Sequence, residues 1–304
     1  MTYDVIIVGG SYAGIAAALQ LARARRQVLV VDAGQRRNRF AATAHGLLGH
    51  DGHDPAAIAA DARAQLMKYP TVSWRDDAAV EARADGDGFV VALAGGDTLT
   101  ARRLVLASGM VDELPDVPGL AERWGVQVFA CPYCHGYELD RGRLGVLAAG
   151  PMSIHHALLV SEWGPTTLFI GGTGAGSGAG SGAVEPDAEQ LAMLARREVT
   201  LERTAVAAVA GAADLRLVDG RVVALAGLFI MPTPRIANPL VAQLGCELDA
   251  NPVGVFVKTD LLKETTVRKV FACGDLATGM PALALAVADG TRAGIAAHQS
   301  LVFR

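Results

Sequence analysis

The chain has 304 residues, a length that predicts about two domains with a sizeable core, and its formal net charge of −4 excludes a general attraction to nucleic acid or anionic membranes. Hydrophobic residues make up 51% of the chain, but no uninterrupted apolar run is long enough to predict a membrane span. Four cysteines exclude a disulfide-rich framework and predict a reducing, cytoplasmic setting, where a Cys-x-x-Cys pair is catalytic or metal-binding.

The N-terminal segment predicts a strand, a helix and a second strand. "DVIIVGG" (4–10) is typical of a buried parallel strand, the next sixteen residues have helical spacing, and "QVLVVDAG" (27–34) returns to a strand. The turn needs small residues so that the backbone and the helix N-terminus can approach a pyrophosphate, and an acid after the second strand can bind ribose. This pattern predicts a dinucleotide site, for either FAD or NAD, at Gly9, Ser11, Tyr12, Ala13, Gly14 and Asp32.

Two further strands, "GFVVAL" (88–93) and "RRLVLASG" (102–109), precede the stretch "ACPYCHGYE" (130–138). Cys131 and Cys134 could form a redox dithiol, half of a zinc site, a haem attachment point or two buried thiols. A zinc site needs further ligands, and Cys246 and Cys273 are far apart in the sequence.

The redox interpretation has a local physical basis. Pro132 suits the first position of a helix, which would place Cys131 and Cys134 on one face near the helix N-terminus. That location favours a thiolate, the form that exchanges with disulfides.

A second strand and nucleotide-type turn follow at "RLGVLAAG" (143–150), before the apolar helix "SIHHALLVSEW" (153–163). Residues 148–153 read Ala-Ala-Gly-Pro-Met-Ser, and no Arg or Lys occurs from 166 to 195 to bind a phosphate. We therefore expect NADPH to bind weakly or not at all. The Gly/Ser/Ala stretch at 171–183 predicts a flexible loop.

Near the C-terminus, "VFACGD" (270–275) ends a strand and precedes a Gly-punctuated helix. Gly274 and Asp275 resemble the second flavin signature of flavoproteins with two dinucleotide-binding domains, in which the acid binds the ribityl chain. "LASG" (106–109) resembles a strand end of the same group. These likenesses favour FAD over NAD in the first site.

Taken as a whole, the chain resembles the low-molecular-weight thioredoxin reductases. The stretch "DELPDVPGLAERWGVQVFACPYCHGYE" (112–138) is more closely similar to the thioredoxin reductase-like dithiol oxidases of the gliotoxin and holomycin type. The resemblance implies an α/β protein with two Rossmann-like domains and a homodimer. It implies a discontinuous FAD domain (1–113 and 232–304) and an inserted central NAD(P)H-type domain (114–231) that carries the cysteine pair.

The same resemblance assigns roles to individual residues. Cys134 would face the flavin, Cys131 would meet the substrate, and His135 would be the acid–base group where the reductases carry an Asp. No metal is expected. The predicted FAD-binding set is Gly9, Ser11, Tyr12, Ala13, Gly14, Asp32, Arg39, Ser108, Gly109, Gly274, Asp275 and Ala282.

The preferred hypothesis is an FAD-dependent oxidase that converts a dithiol into a disulfide, with the flavin reoxidised by oxygen. One alternative is a thioredoxin-disulfide reductase fed by NADPH or another donor. A second is a non-catalytic redox-sensing flavoprotein. The expected partner is a small dithiol or a thioredoxin-like protein. Binding to nucleic acid or to a membrane is not expected.

Overall fold

A computed structural model describes residues 2–173 and 183–303, so most of the predicted loop at 171–183 lies outside the described residues. The chain divides into two compact units. The first comprises Met1–Arg39, Gly46–Val111 and Pro234–Arg304, and the second comprises Phe40–His45 and Asp112–Thr233.

The strands of the described residues are β1 (Thr2–Val8), β2 (Val28–Asp32), β3 (Val72–Asp76), β4 (Ala79–Asp85), β5 (Gly88–Leu93), β6 (Thr98–Leu106), β7 (Val111–Glu113), β8 (Val128–Phe129), β9 (Leu144–Leu147), β10 (Thr166–Phe169), β11 (Thr200–Glu202), β12 (Val206–Ala210), β13 (Asp214–Leu217), β14 (Val222–Val223), β15 (Gly227–Phe229), β16 (Thr233–Arg235), β17 (Leu248–Asn251), β18 (Gly254–Val257) and β19 (Val270–Ala272). The α-helices are α1 (Tyr12–Arg23), α2 (Pro55–Leu66), α3 (Pro132–His135), α4 (Met152–Val160), α5 (Ala188–Arg196), α6 (Leu240–Gln243) and α7 (Leu283–Phe303). Short 3-10 helices cover Ala121–Arg123, Tyr137–Leu139 and Gly274–Ala277.

The first unit is built on a seven-stranded sheet in the order β3-β2-β1-β6-β5-β4, with β19 also paired to β6. Strands β3, β2, β1, β6 and β19 run parallel, whereas β5 and β4 form an antiparallel extension. Alternate residues of β1 enter two different cores, Val5 and Ile7 on one face and Ile6 and Val8 on the other. Both faces are therefore covered, as expected of a parallel sheet.

Helices α1 and α7 lie on one face of this sheet and pack very closely against each other. A methyl group on Gly290 would lie 2.0 Å from the Ala13 carbonyl oxygen, and one on Gly294 would lie 2.5 Å from the Ala17 carbonyl oxygen. Glycine at these two positions of α7 lets the two helix backbones touch.

The second unit contains a parallel five-stranded sheet in the order β11-β10-β9-β15-β8. An antiparallel three-stranded sheet, β12-β13-β14, contributes to the core on one face, and α4 and α5 contribute to the core on the other. The α/β fold with two Rossmann-type units is thus confirmed.

The segment Phe40–His45 belongs to the second unit, whereas the sequence-based boundaries placed it in the first domain. Its contacts give the physical reason. The Cβ position of Gly125 lies 2.6 Å from the Phe40 side chain, and the His45 imidazole lies 3.4 Å from the Glu138 carboxylate. Within the described part of the chain, no helix is both long enough and apolar enough to cross a membrane.

Candidate active site

Several of the predicted FAD-binding residues lie at the carboxyl ends of the parallel strands of the first unit: Gly9, Asp32, Ser108 and Gly274. Gly9 adopts φ +108°, and a Cβ there would lie 2.2 Å from the Ala107 carbonyl oxygen. A Cβ on Gly14 would lie 1.8 Å from the Gly9 carbonyl oxygen. Only glycine allows the backbone of this turn to pass so close to its neighbours.

Hydrogen bonding leaves the turn open to an anion. Ser11 is the N-cap of α1 but makes no side-chain capping bond, and such N-terminal N–H groups form a ready anion site. Asp32, at the end of β2, accepts a hydrogen bond from the Gly10 amide at 3.1 Å. The Ser108 hydroxyl is buried without a partner, and the Cβ position of Gly109 has open space around it. A dinucleotide fits this arrangement.

Of the remaining predicted FAD-binding residues, Gly274 and Asp275 follow β19, whereas Arg39 and Ala282 lie apart from the strand ends. Gly274, at φ +69°, lies next to Ala13, and Asp275 forms a 2.9 Å ion pair with Arg37. Arg37 stands close to two other arginines, Arg36 and Arg39, and no feature of the sequence favours it as the partner of Asp275. Arg39 donates to the Arg36 carbonyl, and Ala282 is exposed just before α7.

Tyr12 is buried at the start of α1. Its hydroxyl donates to the Pro55 carbonyl at 2.8 Å and accepts from the Asn38 amide at 3.2 Å. Burial is the main cause that raises the pKa of this phenol, so the hydroxyl stays protonated and anchors the turn.

In the second unit, Cys131 and Cys134 form a disulfide with a Cα–Cα distance of 5.3 Å. Cys131 is the N-cap of α3 and Pro132 is its first residue, as the sequence predicts. This helix begins directly after β8 and Ala130, so the strand end and the helix start position the pair together.

Aromatic side chains hold the disulfide helix on two sides. The His135 ring stacks on Phe129 at a centroid distance of 4.4 Å, and the Tyr133 ring meets Trp163 edge-on at 5.1 Å. The Cβ position of Gly136 lies only 2.5 Å from the Trp163 ring, so a larger residue there would displace the indole. Burial lowers the pKa of His135, and the nearby Glu138 carboxylate partly offsets this effect.

The other two cysteines, Cys246 and Cys273, are free thiols buried in the first unit. Burial raises the pKa of Cys246, and it raises the pKa of Cys273 to about 12. Both thiols are therefore inert at neutral pH, in agreement with a packing role.

In the nucleotide-type turn of the second unit, a side chain of the turn binds two backbone N–H groups. The Ser153 hydroxyl accepts hydrogen bonds from the amides of Ala149, at 2.9 Å, and Gly150, at 3.2 Å. Pro151 has no N–H to offer, and Ala148 is fully enclosed. A pyrophosphate at this turn would compete with Ser153 for its donors.

A cavity of about 460 Å³ lies beside this turn. It carries an acid, Glu185, which binds Arg203, and no cationic side chain is among the described residues that line it. Its lining is Ala149, Gly150, Pro151, Ile154, Ala183, Val184, Glu185 and Gln190. These residues do not fit the phosphates of NADPH.

The sequence matches the family described as "Pyridine nucleotide-disulphide oxidoreductase" over residues 3–290. The chain belongs to this family. The family consists of FAD-binding oxidoreductases, so the protein is an oxidoreductase of a flavoprotein family.

Individual relatives of this oxidoreductase match nearly all of it. It is 32% identical to "Thioredoxin reductase tcpT" of Claviceps purpurea (strain 20.1), covering 98% of this chain and 94% of the relative. A solved oxidoreductase from Agrobacterium tumefaciens is 52% identical with a TM-score of 0.94, covering 100% of this chain and 99% of that one. The structure titled "Crystal structure of HlmI" is 34% identical with a TM-score of 0.89, covering 99% of this chain and 93% of that one. The resemblance to thioredoxin reductase-like proteins of the gliotoxin and holomycin type is confirmed.

Proposed function

We propose that this oxidoreductase is an FAD-dependent dithiol oxidase that closes a disulfide in a small dithiol through Cys131 and Cys134. The observation that carries the proposal is the Ser153 hydroxyl, which occupies two amide donors that a nicotinamide dinucleotide would need. Because Ser153 occupies the amides of that turn, we infer that electrons enter the protein from a dithiol through the cysteine pair.

The exchange steps balance in atoms and electrons. A substrate thiolate attacks Cys131, the S–S bond breaks, and Cys134 leaves as a thiolate. The second substrate thiolate then attacks the mixed disulfide and releases Cys131, so the substrate gains an S–S bond and the pair holds two electrons. His135 takes and returns protons during these steps.

The first unit would hold FAD through the turn at Gly9, the N-terminus of α1, Asp32 and Asp275. Bound FAD supplies a two-electron acceptor that oxygen can reoxidise. The assignment of FAD to this unit, the separate roles of the two cysteines, and a homodimer stay predictions.

A second candidate function is an NADPH-fed thioredoxin reductase. It is favoured by the name that the Claviceps relative carries, "Thioredoxin reductase tcpT". The two candidates differ in the reductant that delivers electrons to the flavin.

Anaerobic reduction of the flavin separates the two. We expect dithiothreitol, as a small dithiol, to bleach the visible flavin absorbance rapidly, and NADPH to bleach it slowly or not at all. Stopped-flow absorbance measures both rates on the same protein.

Cysteine variants are the controls for that experiment. Cys131→Ser and Cys134→Ser should each lose the fast dithiol-dependent phase, whereas Cys246→Ser, which alters a buried thiol, should retain it. Fast, saturable reduction by micromolar NADPH would instead establish the reductase.

A further inference from the structure

One face of the helical turn that follows Cys131 carries both cysteines, an imidazole and a carboxylate. Cys131, Cys134, His135 and Glu138 follow the spacing i, i+3, i+4 and i+7. The turn continues from α3 into the next 3-10 helix because Gly136 has helical backbone angles, φ −70° and ψ −31°. Residues at this spacing lie on the same side of a helix.

The carboxylate at the end of this row has a fixed position. Glu138 lies 3.4 Å from the His45 imidazole, measured from Oε1 to Nε2. His45 comes from the segment Phe40–His45 and its side chain is 19% exposed, whereas that of Glu138 is 43% exposed. This contact thus joins the cysteine helix to a segment that is distant in sequence.

The proton affinity of His135 depends on this pair. Burial of His135, which stacks on Phe129, lowers its pKa. The Glu138 carboxylate acts in the opposite direction, and His45 adds a smaller lowering effect. Glu138 and His45 are the charged or titratable groups of the described residues that influence His135, and of these two Glu138 makes an imidazolium easier to form.

We propose that Glu138 is a positioning residue that enables His135 to accept a proton from the reduced Cys131–Cys134 pair. The S–H bond of one thiol breaks, an N–H bond forms on the imidazole, and a thiolate remains beside an imidazolium, with no transfer of electrons. The role rests on the redox function proposed above for the pair, but it holds for either direction of electron flow.

The amide variant Glu138→Gln removes the charge and keeps the shape. The imidazolium, and with it the thiolate, becomes less stable, so the pH midpoint of thiol alkylation should move upward. At pH about 6.5 we expect alkylation to slow about threefold to tenfold, since a half-exposed charge is screened by solvent. Well above both midpoints the variant should react as fast or faster, because a less stabilised thiolate is the better nucleophile.

The experiment uses the purified flavin-containing protein, reduced and then alkylated with iodoacetamide over a range of pH, with mass spectrometry of the labelled cysteines. Glu162→Gln is the matched control, since Glu162 forms an ion pair with Arg197 in the same unit. Its profile should follow the wild type, and Glu138→Asp should recover the wild-type profile at least in part.

Raising the salt concentration tests the same charge without a substitution. About 1 M salt should move the wild-type midpoint toward that of Glu138→Gln and leave the variant nearly unchanged. Identical profiles for wild type and Glu138→Gln, an equal shift in Glu162→Gln, or a salt-insensitive wild type would each overturn the proposal.

Failure of the broader function has a different signature. If the pair has no redox role, dithiothreitol will not bleach the flavin through Cys131 and Cys134, in the wild type or in Glu138→Gln. If the pair reacts but its profile is independent of Glu138, the redox function stands and only the role of Glu138 is rejected.

Discussion

The Ser153 hydroxyl accepts hydrogen bonds from two backbone amides of a turn that otherwise resembles a nucleotide-binding loop. Each such bond contributes about 1 kcal/mol to stability, and a ligand that displaces the hydroxyl must match both. A phosphate could do so with the help of a cation, but among the described residues that line the adjoining cavity the charged one is Glu185. We therefore expect this one side-chain oxygen to weaken the binding of a pyrophosphate at the turn.

A second residue-scale feature is His156, which is buried in α4 and meets Phe229 edge-on. Burial lowers the pKa of His156 to about 4, an effect that the Ala130 backbone partly offsets. The unfolded chain binds a proton near pH 6.5, whereas the folded chain binds it only near pH 4. Stability from this group is therefore complete above pH about 6.5 and is lost as the pH falls toward 4.

We expect His156→Phe to flatten the acid side of the stability profile. Over the full window the wild type should lose about 3 kcal/mol of unfolding free energy through this residue, at about 1.4 kcal/mol per pH unit. Urea unfolding at a series of pH values measures the slope, and His155→Phe, at the exposed neighbouring position, should leave the slope unchanged. Equal slopes in the wild type and His156→Phe would contradict the assignment.

At the scale of elements, the contact between α1 and α7 connects core packing to the candidate FAD turn. Gly290 touches the backbone of Ala13, which lies in the first turn of α1, directly after Ser11 and Tyr12. Glycine lowers the helix propensity of α7, yet it is needed because a carbonyl group, which cannot rotate away, occupies the space beside it. Packing thus outweighs propensity at this position.

The substitution Gly290→Ala should lower both stability and flavin content. Its added methyl group would meet the Ala13 carbonyl at 2.0 Å, so one helix must move. Overpacking of this kind costs about 1–3 kcal/mol or more, and the gain of about 1 kcal/mol in helix propensity does not offset it. Chemical unfolding and the ratio of flavin to protein absorbance measure the two effects.

The exposed residue Ile295, on the same helix, provides the comparison. Ile295→Ala should change the unfolding free energy by less than about 0.5 kcal/mol and leave the flavin content intact. A Gly290→Ala protein as stable as this control would show that the two helices can separate at little cost.

At the scale of the whole molecule, the first unit is assembled from three chain segments that the second unit interrupts. The candidate FAD site draws on the first segment through Gly9 and Asp32, on the middle segment through Ser108, and on the last segment through Asp275. A ligand that contacts all three segments would stabilise the folded unit by mass action.

Flavin-free protein should therefore unfold at a lower temperature than flavin-loaded protein. Free FAD at about 100 times its dissociation constant should add about 2.7 kcal/mol to the unfolding free energy. NADPH at the same concentration should add little, because the second turn binds its own Ser153. Thermal unfolding followed by circular dichroism compares the ligands, and a larger gain with NADPH would reverse the assignment of the two units.

Much of this protein is predictable from local sequence alone. Short-range patterns predict the strand, turn and helix at 4–26 and the helix start at Pro132, since turn geometry and helix capping depend on neighbouring residues. The family was predicted from the resemblance of longer stretches of the chain, and it is confirmed. The chain order of glycines and acids predicted a dinucleotide site, and the resemblance to known flavoproteins extended this to a set of residues for FAD, which stays a prediction.

Contacts between distant segments were not predictable in this way. The contact of His45 with Glu138 and the ion pair of Arg37 with Asp275 join residues far apart in the chain, and His45 was expected in the other domain. The Ser153 hydroxyl reads in the sequence as a small residue near a helix start, and only the folded turn shows which amides it binds. Such partners depend on how the sheets bring separate segments together, and one sequence contains no periodic signal for that long-range geometry.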